Sequence, residues 1–333
     1  MFIALAYIKP TPLYRYLCIK SSLYQMTSVD EAKRIVLENK ADLGNEIVLF
    51  TDATGRILAE NIKADRDIPH FNGGQADIKQ GDILAVPGQL ITPVILSIIT
   101  SVGEEEIRVK KLPRVVVIST GEELVEVREV PNANQSRRTN CYTAQAILKN
   151  NGIQADILHV PADADVMERQ LAHCLQHYDA IIIAGKSDVL IAALDKLYVK
   201  EIFNKVAQHP GDDFWFGKHE NGVPLFAFHG SVTAIMVGVH CYFLPWLRAT
   251  LNMPEQDQLY AILSDDVDVE SGFSTFLQVK LSTNSNAQLI AQPLTAKNYA
   301  EANALLQLPA SKSQYKKGEM YNAITVNYYN PYN

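Results

Sequence analysis

The chain has 333 residues, with 30 lysines and arginines against 37 aspartates and glutamates and a formal net charge of −7. At roughly 150 residues per domain, this length holds about two domains with a sizeable core. Hydrophobic residues at 47% and charged residues at 20% exclude a wholly disordered chain, and the acidic balance lacks the basic field of a general nucleic-acid binder.

Residues 1–25 have no clear hydrophobic period and no signal-peptide plan, and they read as an extension ahead of a natural start at Met26. Ser28-Val29-Asp30-Glu31 is a capping box that opens a helix with Ala32, Ile35 and Val36 on one face. A strand is expected over Glu46–Phe50, a short helical stretch over Ala53–Leu58, and a strand near Asn61–Ala64. Loop chemistry follows to Gly74, then a strand and turn to Pro87, then a helix from Thr92 to Val102 ending at Gly103. Arg114–Ile118 is a continuous apolar run, the mark of a strand buried on both faces. Helices over Thr139–Asn151, Asp163–His177, Val189–Val199 and Val232–Leu251 then alternate with strands over Ala155–Val160, Ala180–Ala184 and Pro224–Phe228. That alternation predicts a parallel α/β sheet with helices on both faces. From Leu259 the period drops to two, which predicts a small β-rich terminal domain, separable near Asn252–Gln258. No apolar run is read as a spanning helix of ~20 residues, so no membrane partner is expected.

Cys18, Cys141, Cys174 and Cys241 have no C-x-x-C spacing and read as isolated thiols of a reducing cytoplasm. His173 and His177 have helical spacing without an H-E-x-x-H, and read as a solvated face. In an open α/β sheet, ligands bind where strands end and helices begin. Three such junctions stand out: Ser119-Thr120-Gly121-Glu122-Glu123, Ala184-Gly185-Lys186-Ser187, and His229-Gly230-Ser231. Hydroxyls and glycines allow close backbone approach, carboxylates can hold a hydrated cation, and a helix N-terminus favours an anion. Each turn alone is equally consistent with a plain βα connection.

Arg114-Val-Val-Val-Ile-Ser-Thr-Gly-Glu-Glu-Leu124 resembles the "strand–S-T-G-D-E-L" signature of the molybdopterin molybdenumtransferases, the MoeA and gephyrin E-domain family. The likeness extends to Ala64-Asp65-Arg66-Asp67-Ile68-Pro69, and to Asp77-Ile78-Lys79-Gln80-Gly81-Asp82-Ile83-Leu84 against "D-I-x-x-G-D-x-L". Val206-Ala207-Gln208-His209-Pro210-Gly211-Asp212 stands where the family has "K-P-G-K-P", and Phe228-His229-Gly230-Ser231-Val232 where it has "L-P-G-N-P". The resemblance covers nearly all of 26–328. It implies a MoaB/Mog-like molybdopterin-binding α/β domain over 112–254, an N-terminal α+β segment over 26–111 and a β-rich C-terminal domain over 258–328.

The family's reaction implies molybdopterin-AMP and molybdate as substrates, Mg²⁺ as cofactor, and AMP as a product. It implies Glu123 and Asp77 as catalytic and metal-holding carboxylates. Thr120, Gly121, Asn140, Gly185, Lys205, Gly211, Gly230 and Ser231 are the implied substrate-binding residues. A homodimer or a partner protein of molybdenum cofactor synthesis is implied as well.

The sequence departs from the pattern in places that matter. The family's second domain is missing near 72–76, and the loop before Lys205 is shortened. The acid of "D-S-N" is replaced in Arg138-Thr139-Asn140. The two lysines of "K-P-G-K-P" become His209 and Asp212. A unit charge ~5 Å from an anion is worth roughly 3 kcal/mol at an effective dielectric of 20, so a lysine-to-aspartate change moves anion binding by up to about 6 kcal/mol. The expectation is a transferase of impaired activity. The alternatives are a molybdopterin-binding pseudoenzyme, a partner of an intact homologue, or a product without activity.

Overall fold

The computed structural model describes residues 26–67, 78–185, 187–254 and 256–326. The extension 1–25, the missing-domain junction at 72–76, Asp77 and Lys186 lie outside the described residues.

The N-terminal segment begins with helix α1 (Val29–Glu38), where the Ser28 hydroxyl accepts the Glu31 amide as an N-cap. The Glu31 carboxylate turns to Arg34. Val29, Ala32 and Val36 are buried and carry α1 into the central core. Strand β1 (Asn45–Leu49) later pairs with β4, and β2 (Ile62–Lys63) pairs with β3 (Ile83–Ala85) across the junction. Helix α2 (Pro93–Ser101) is capped by the Thr92 hydroxyl, with proline at its first position, where no amide hydrogen is needed. Strand β4 (Glu106–Lys110) completes the segment antiparallel to β1.

The helix expected over Ala53–Leu58 is absent. A single 3₁₀ turn over Phe50–Asp52 is followed by a turn at Gly55, and Ile57 and Leu58 then make isolated bridges to Leu90 and Val109. Tertiary pairing overrides local helical preference there. The unforeseen β4 is what Leu58 pairs with.

The central domain is built on β5 (Val115–Thr120), buried at every position. After it come the short parallel pair β6 (Leu124–Val125) and β7 (Ser136–Arg137), then α3 (Asn140–Asn150), β8 (Ala155–Val160) and α4 (Ala164–His177). Next are β9 (Ala180–Ala184), α5 (Asp188–Lys196), β10 (Lys200–Asn204), β11 (Gln208–His209), β12 (Phe214–Lys218) and β13 (Pro224–Phe228). The sheet order is β10-β12-β13-β9-β5-β8. β8, β5, β9 and β13 run parallel, while β12 is antiparallel to both its neighbours. Alternate residues of β5 serve two layers: Val115 and Val117 belong to the core that includes α3 and α1, and Val116 and Ile118 to the core that includes α4 and α5. β10 and β12 were not expected from the sequence.

The last helical run, Val232–Thr250, divides into α6 (Val232–Gly238), one π segment (Val239–Phe243) and α7 (Leu244–Thr250). Its 19 residues are apolar enough to cross a membrane by length and composition, contrary to the sequence expectation, but 67% of the window is buried inside the fold. Phe226 of β13 meets the Trp246 ring edge-on at 5.8 Å in this core.

The C-terminal strands are β14 (Leu259–Leu263), β15 (Val267–Asp268), β16 (Ser274–Thr283), β17 (Leu289–Pro293), β18 (Ala304–Leu308), β19 (Gln314–Tyr315) and β20 (Met320–Thr325). β15 and β19 form a small antiparallel pair. The larger sheet runs β11-β16-β17-β14-β20-β18, and a further pairing of β16 with β18 closes it on itself. One face of β16 fills this small barrel, with Val279 among its core residues. The other face, through Phe276, joins the core of the central domain. β11 lies within the central span but pairs in parallel with β16, Gln208 opposite Ser274.

Candidate functional site

The C-terminal ends of β5, β9 and β13 open into one pocket of about 510 Å³. Seven of the expected residues line it: Thr120, Gly121, Glu123, Asn140, Gly185, Gly230 and Ser231. Chain topology brings three of these distant stretches together, because β13, β9 and β5 are consecutive in the sheet and each delivers a turn at the same edge; Asn140, at the start of α3, is the fourth.

The turns are tied to one another. The Asn140 side-chain amide donates to the Gly230 carbonyl at 3.0 Å. The Gly185 amide donates to the Phe228 carbonyl at 2.9 Å. Gly185 has φ +152°, and a Cβ there would stand 3.1 Å from the Thr120 carbonyl oxygen, so a side chain would force the β9 turn off the end of β5. Ser187 and Ser231 cap the two helices that face the pocket, each hydroxyl accepting the amide three residues on. The remaining free amides of those first turns supply partial positive charge.

The floor is formed by Ser119, whose hydroxyl lies 3.1 Å from His159 Nδ1, and by the buried Cys141. Burial and the charge of Arg138 hold the His159 pKa below its ordinary value, against the opposing pull of Ser119 and Glu123. Burial raises the Cys141 thiol, so it is a poor nucleophile. The Glu123 carboxylate folds back over Gly121, where an added Cβ would meet its oxygen at 2.5 Å.

Arg138 is the residue that sequence reasoning noted only as a loss. Its side chain is 8% exposed, it pairs with the Glu126 carboxylate, and its Nε has no protein partner. Thr120 Oγ1 is likewise buried and unpartnered. Both residues line the pocket. A buried donor without a partner costs about 1–3 kcal/mol, and an oxyanion would supply the acceptor.

Lys205 and Gly211 are not among the lining residues. Lys205 is exposed, and its backbone bonds to Phe214 and Thr27. Gly211 sits beside the pocket, with φ +87° and an added Cβ only 3.3 Å from the Cβ of Ala234 in the first turn of α6. Gln208 pins this turn by donating to the carbonyls of Pro210 and Gly211, and its own carbonyl accepts the Tyr242 hydroxyl. Asp212 therefore follows a fixed turn that rests on the first turn of α6, while His209 ends β11 with its ring 6.3 Å from that of Phe273.

A family described as "Probable molybdopterin binding domain" matches residues 116–249. The chain is 31% identical over 259 residues to the molybdopterin molybdenumtransferase of Synechocystis sp., an alignment covering 74% of this chain and 64% of that one. It is 25% identical over 266 residues to the molybdopterin molybdenumtransferase of Bacillus subtilis, covering 75% of this chain and 61% of the relative. The chain thus spans less than two thirds of either relative's length. The crystal structure of the molybdopterin biosynthesis moea protein from Pyrococcus horikosii superposes with a TM-score of 0.78 at 17% identity, covering 91% of this chain and all of that one. A molybdenum cofactor biosynthesis protein from Pyrococcus furiosus gives 0.70 at 23% identity, over 90% of this chain and 99% of that one.

The chain is a MoeA-like protein.

The described part of this MoeA-like pocket offers magnesium two neighbouring carboxylates, Glu122 and Glu123, and no fuller set of protein ligands. Among the described residues no three His, Cys, Asp or Glu side chains gather to hold a metal ion. Arg138 places a cation on the wall that Glu123 shares, and Asp77 lies outside the described residues. The described donors of this pocket suit an anion better than a cation.

Proposed function

We propose that this MoeA-like protein acts in molybdenum cofactor biosynthesis, binding adenylylated molybdopterin in the pocket at the ends of β5, β9 and β13. The observation that carries this reading is the convergence of the Ser119–Glu123 turn, Asn140 and Gly230-Ser231 on one cavity lined by unpartnered buried donors. Thr120 Oγ1 and Arg138 Nε would bind phosphate or molybdate oxygens, and the capped helix starts would orient them. Fixed donors of this kind stabilise charge that develops when a phosphoanhydride is cleaved, without reorganising during the step. The reaction assigned is insertion of molybdate with release of AMP, at a turnover below that of an intact relative. His209 and Asp212 replace two cations beside the site, and Arg138 replaces an acid within it.

Those same replacements favour a second reading, a molybdopterin-binding protein without turnover that works beside an intact homologue. Calorimetry with molybdopterin-AMP tests the binding that both readings share; absence of saturable binding removes both. Molybdate-dependent AMP release separates them, measured for the protein alone and mixed with an intact homologue. Slow release by the protein alone supports the transferase. Release only in the mixture, above the homologue's own rate, supports the binding role.

A further inference from the structure

A second cavity of about 510 Å³ lies at the other end of the helices that form the first. α3 begins with Asn140 at the pocket described above and ends with Lys149 and Asn150 on this second cavity. The run Val232–Thr250 likewise begins at the first pocket and passes the second through His240, Leu244 and Arg248. At 1.5 Å per residue the two sites are roughly 15 Å apart along α3. Arg56 of the N-terminal segment and Ile324 of β20 close the wall, so three parts of the chain meet there. Ligand cavities of this size favour such junctions.

His240 is the telling residue. It is 4% exposed, it lines the cavity, and neither ring nitrogen has a hydrogen-bond partner in the protein. A core position that wanted only bulk would carry a phenylalanine, since burying two unpaired ring nitrogens is unfavourable. His240 sits in the π segment, which is closed by the Leu244 amide donating to the Val239 carbonyl. Pro245 accounts for that widening: it has no amide hydrogen, and its ring crowds the carbonyl of Cys241 in a regular helix. Burial lowers the imidazole pKa to about 4, so near neutrality the ring offers one donor and one acceptor.

The charge of the wall is one-sided. Arg56, Lys149 and Arg248 line it, and no aspartate or glutamate is found among its described lining residues, in a chain whose net charge is −7. Arg56 gives one guanidinium nitrogen to the Lys110 carbonyl and to Glu46, while its buried Nε has no partner. Arg248 gives one nitrogen to the Pro254 carbonyl. Between these groups the surface is apolar, with Leu244 and Ile324 facing the space.

We propose that this cavity is a binding site for a small organic anion, a carboxylate or phosphate-ester head on an apolar, ring-sized body. The head bonds to Arg56 Nε and the cationic wall, the body packs on Leu244 and Ile324, and a polar group on the body meets His240. The proposal does not depend on what occupies the first pocket.

The test uses the full chain and three probes that share one hydroxylated naphthalene body: 6-hydroxy-2-naphthoate, 6-hydroxy-2-naphthyl phosphate and the neutral 6-hydroxy-2-naphthamide. Binding is followed by calorimetry, and the His240 ring nitrogens by ¹⁵N NMR. The expected result is saturable binding of at least one anion tighter than about 1 mM, with the neutral probe at least about tenfold weaker. The His240 nitrogen shifts should move on saturation. His240→Phe, which keeps the ring volume, and Lys149→Glu, on the exposed rim, should each weaken the anion by about tenfold. Preference between the two anions identifies the head group. No saturable binding of either anion to the wild-type chain overturns the proposal, as does binding that leaves the His240 nitrogens unmoved. Equal affinity for the neutral probe overturns the anionic class. If His240→Phe fails to fold, unchanged affinity in Lys149→Glu is the overturning result.

Discussion

The Asn140 side chain donates to the Gly230 carbonyl at 3.0 Å, and this bond joins the start of α3 to the turn after β13. Asn140 is what remains of the family's "D-S-N", and Gly230 is what remains of its "P-G-N-P". The two retained residues are thus partners of each other. Their bond sets the width of the pocket between two helix starts.

Asn140→Leu should therefore affect binding more than stability. The bond is solvent-accessible, and its loss is expected to lower the unfolding free energy by no more than about 1 kcal/mol. Affinity for molybdopterin-AMP should fall by about tenfold, because the oxyanion-facing turns are no longer held together. Urea melts and calorimetry on the same preparations compare the two effects. Unchanged affinity would show that the bond only supports the fold.

Arg138 is expected to be an anion-binding group. A unit charge ~5 Å from a bound oxyanion contributes roughly 3 kcal/mol at an effective dielectric of 20, or about two decades in affinity. Arg138→Met should weaken inorganic phosphate and molybdopterin-AMP together. The fold should tolerate the change, since the partner Glu126 is 52% exposed and can turn to water. A variant that binds both ligands like the parent would remove Arg138 from the site.

The loop bearing His209 and Asp212 should be tunable by charge. Gln208 fixes it, and Gly211 rests on Ala234 of α6. Replacing both residues by lysine is expected to raise affinity for molybdopterin-AMP by more than tenfold at low salt. The gain should shrink as ionic strength rises and the Debye length falls below about 10 Å. A gain that persists unchanged in about 1 M salt would point to a rearranged loop rather than to charge.

Much of the central domain was legible because buried parallel strands are nearly pure apolar runs. Val115–Ile118 and Ile181–Ile183 have no other plausible place than a covered sheet. Capped helices such as Asp163–His177 were legible for the same kind of reason, a side chain fixing the first turn. The antiparallel strands were not. Lys200–Asn204 is short and half exposed, and its pairing with β12 is written in no local period. Of the site, the turns were visible as glycine and hydroxyl clusters, and their meeting followed from the sheet rule. The burial of Arg138 was not visible, because Gln135–Asn140 is polar throughout and gives no sign of which side chain faces inward. The second cavity draws on six separate stretches of the sequence, and only the folded chain assembles it.

Limited proteolysis is expected to cut at 252–258 without releasing the C-terminal sheet. The sequence alone predicted a separable domain, but Gln208 pairs with Ser274, and Phe276, Leu305 and Val326 share a core with α1 and the central domain. Separating the parts would expose that apolar contact to water. Nicked protein should co-elute as one species on size-exclusion chromatography and part only in denaturant. Two fragments that elute apart under native conditions would show that the shared core does not hold.

The unpartnered imidazole of His240 gives stability a specific acid dependence. Its proton binds near 6.5 when the chain is unfolded and near 4 when it is folded, because burial disfavours the charged ring. Above about pH 6.5 the ring is neutral in both states and adds no slope. As the pH falls from there toward 4 the unfolded state binds more protons, so stability is lost over that window. The loss attributable to this one residue is about 2–3 kcal/mol at about pH 4.5 and levels off below the folded pKa. His240→Phe keeps the ring volume and removes the titration. Urea midpoints at about pH 7 and 4.5 should therefore lie closer together in the variant than in the parent, by an amount worth about 2–3 kcal/mol. Equal spacing in the two proteins would mean that the ring is reached by water at acid pH and is not held neutral by the fold.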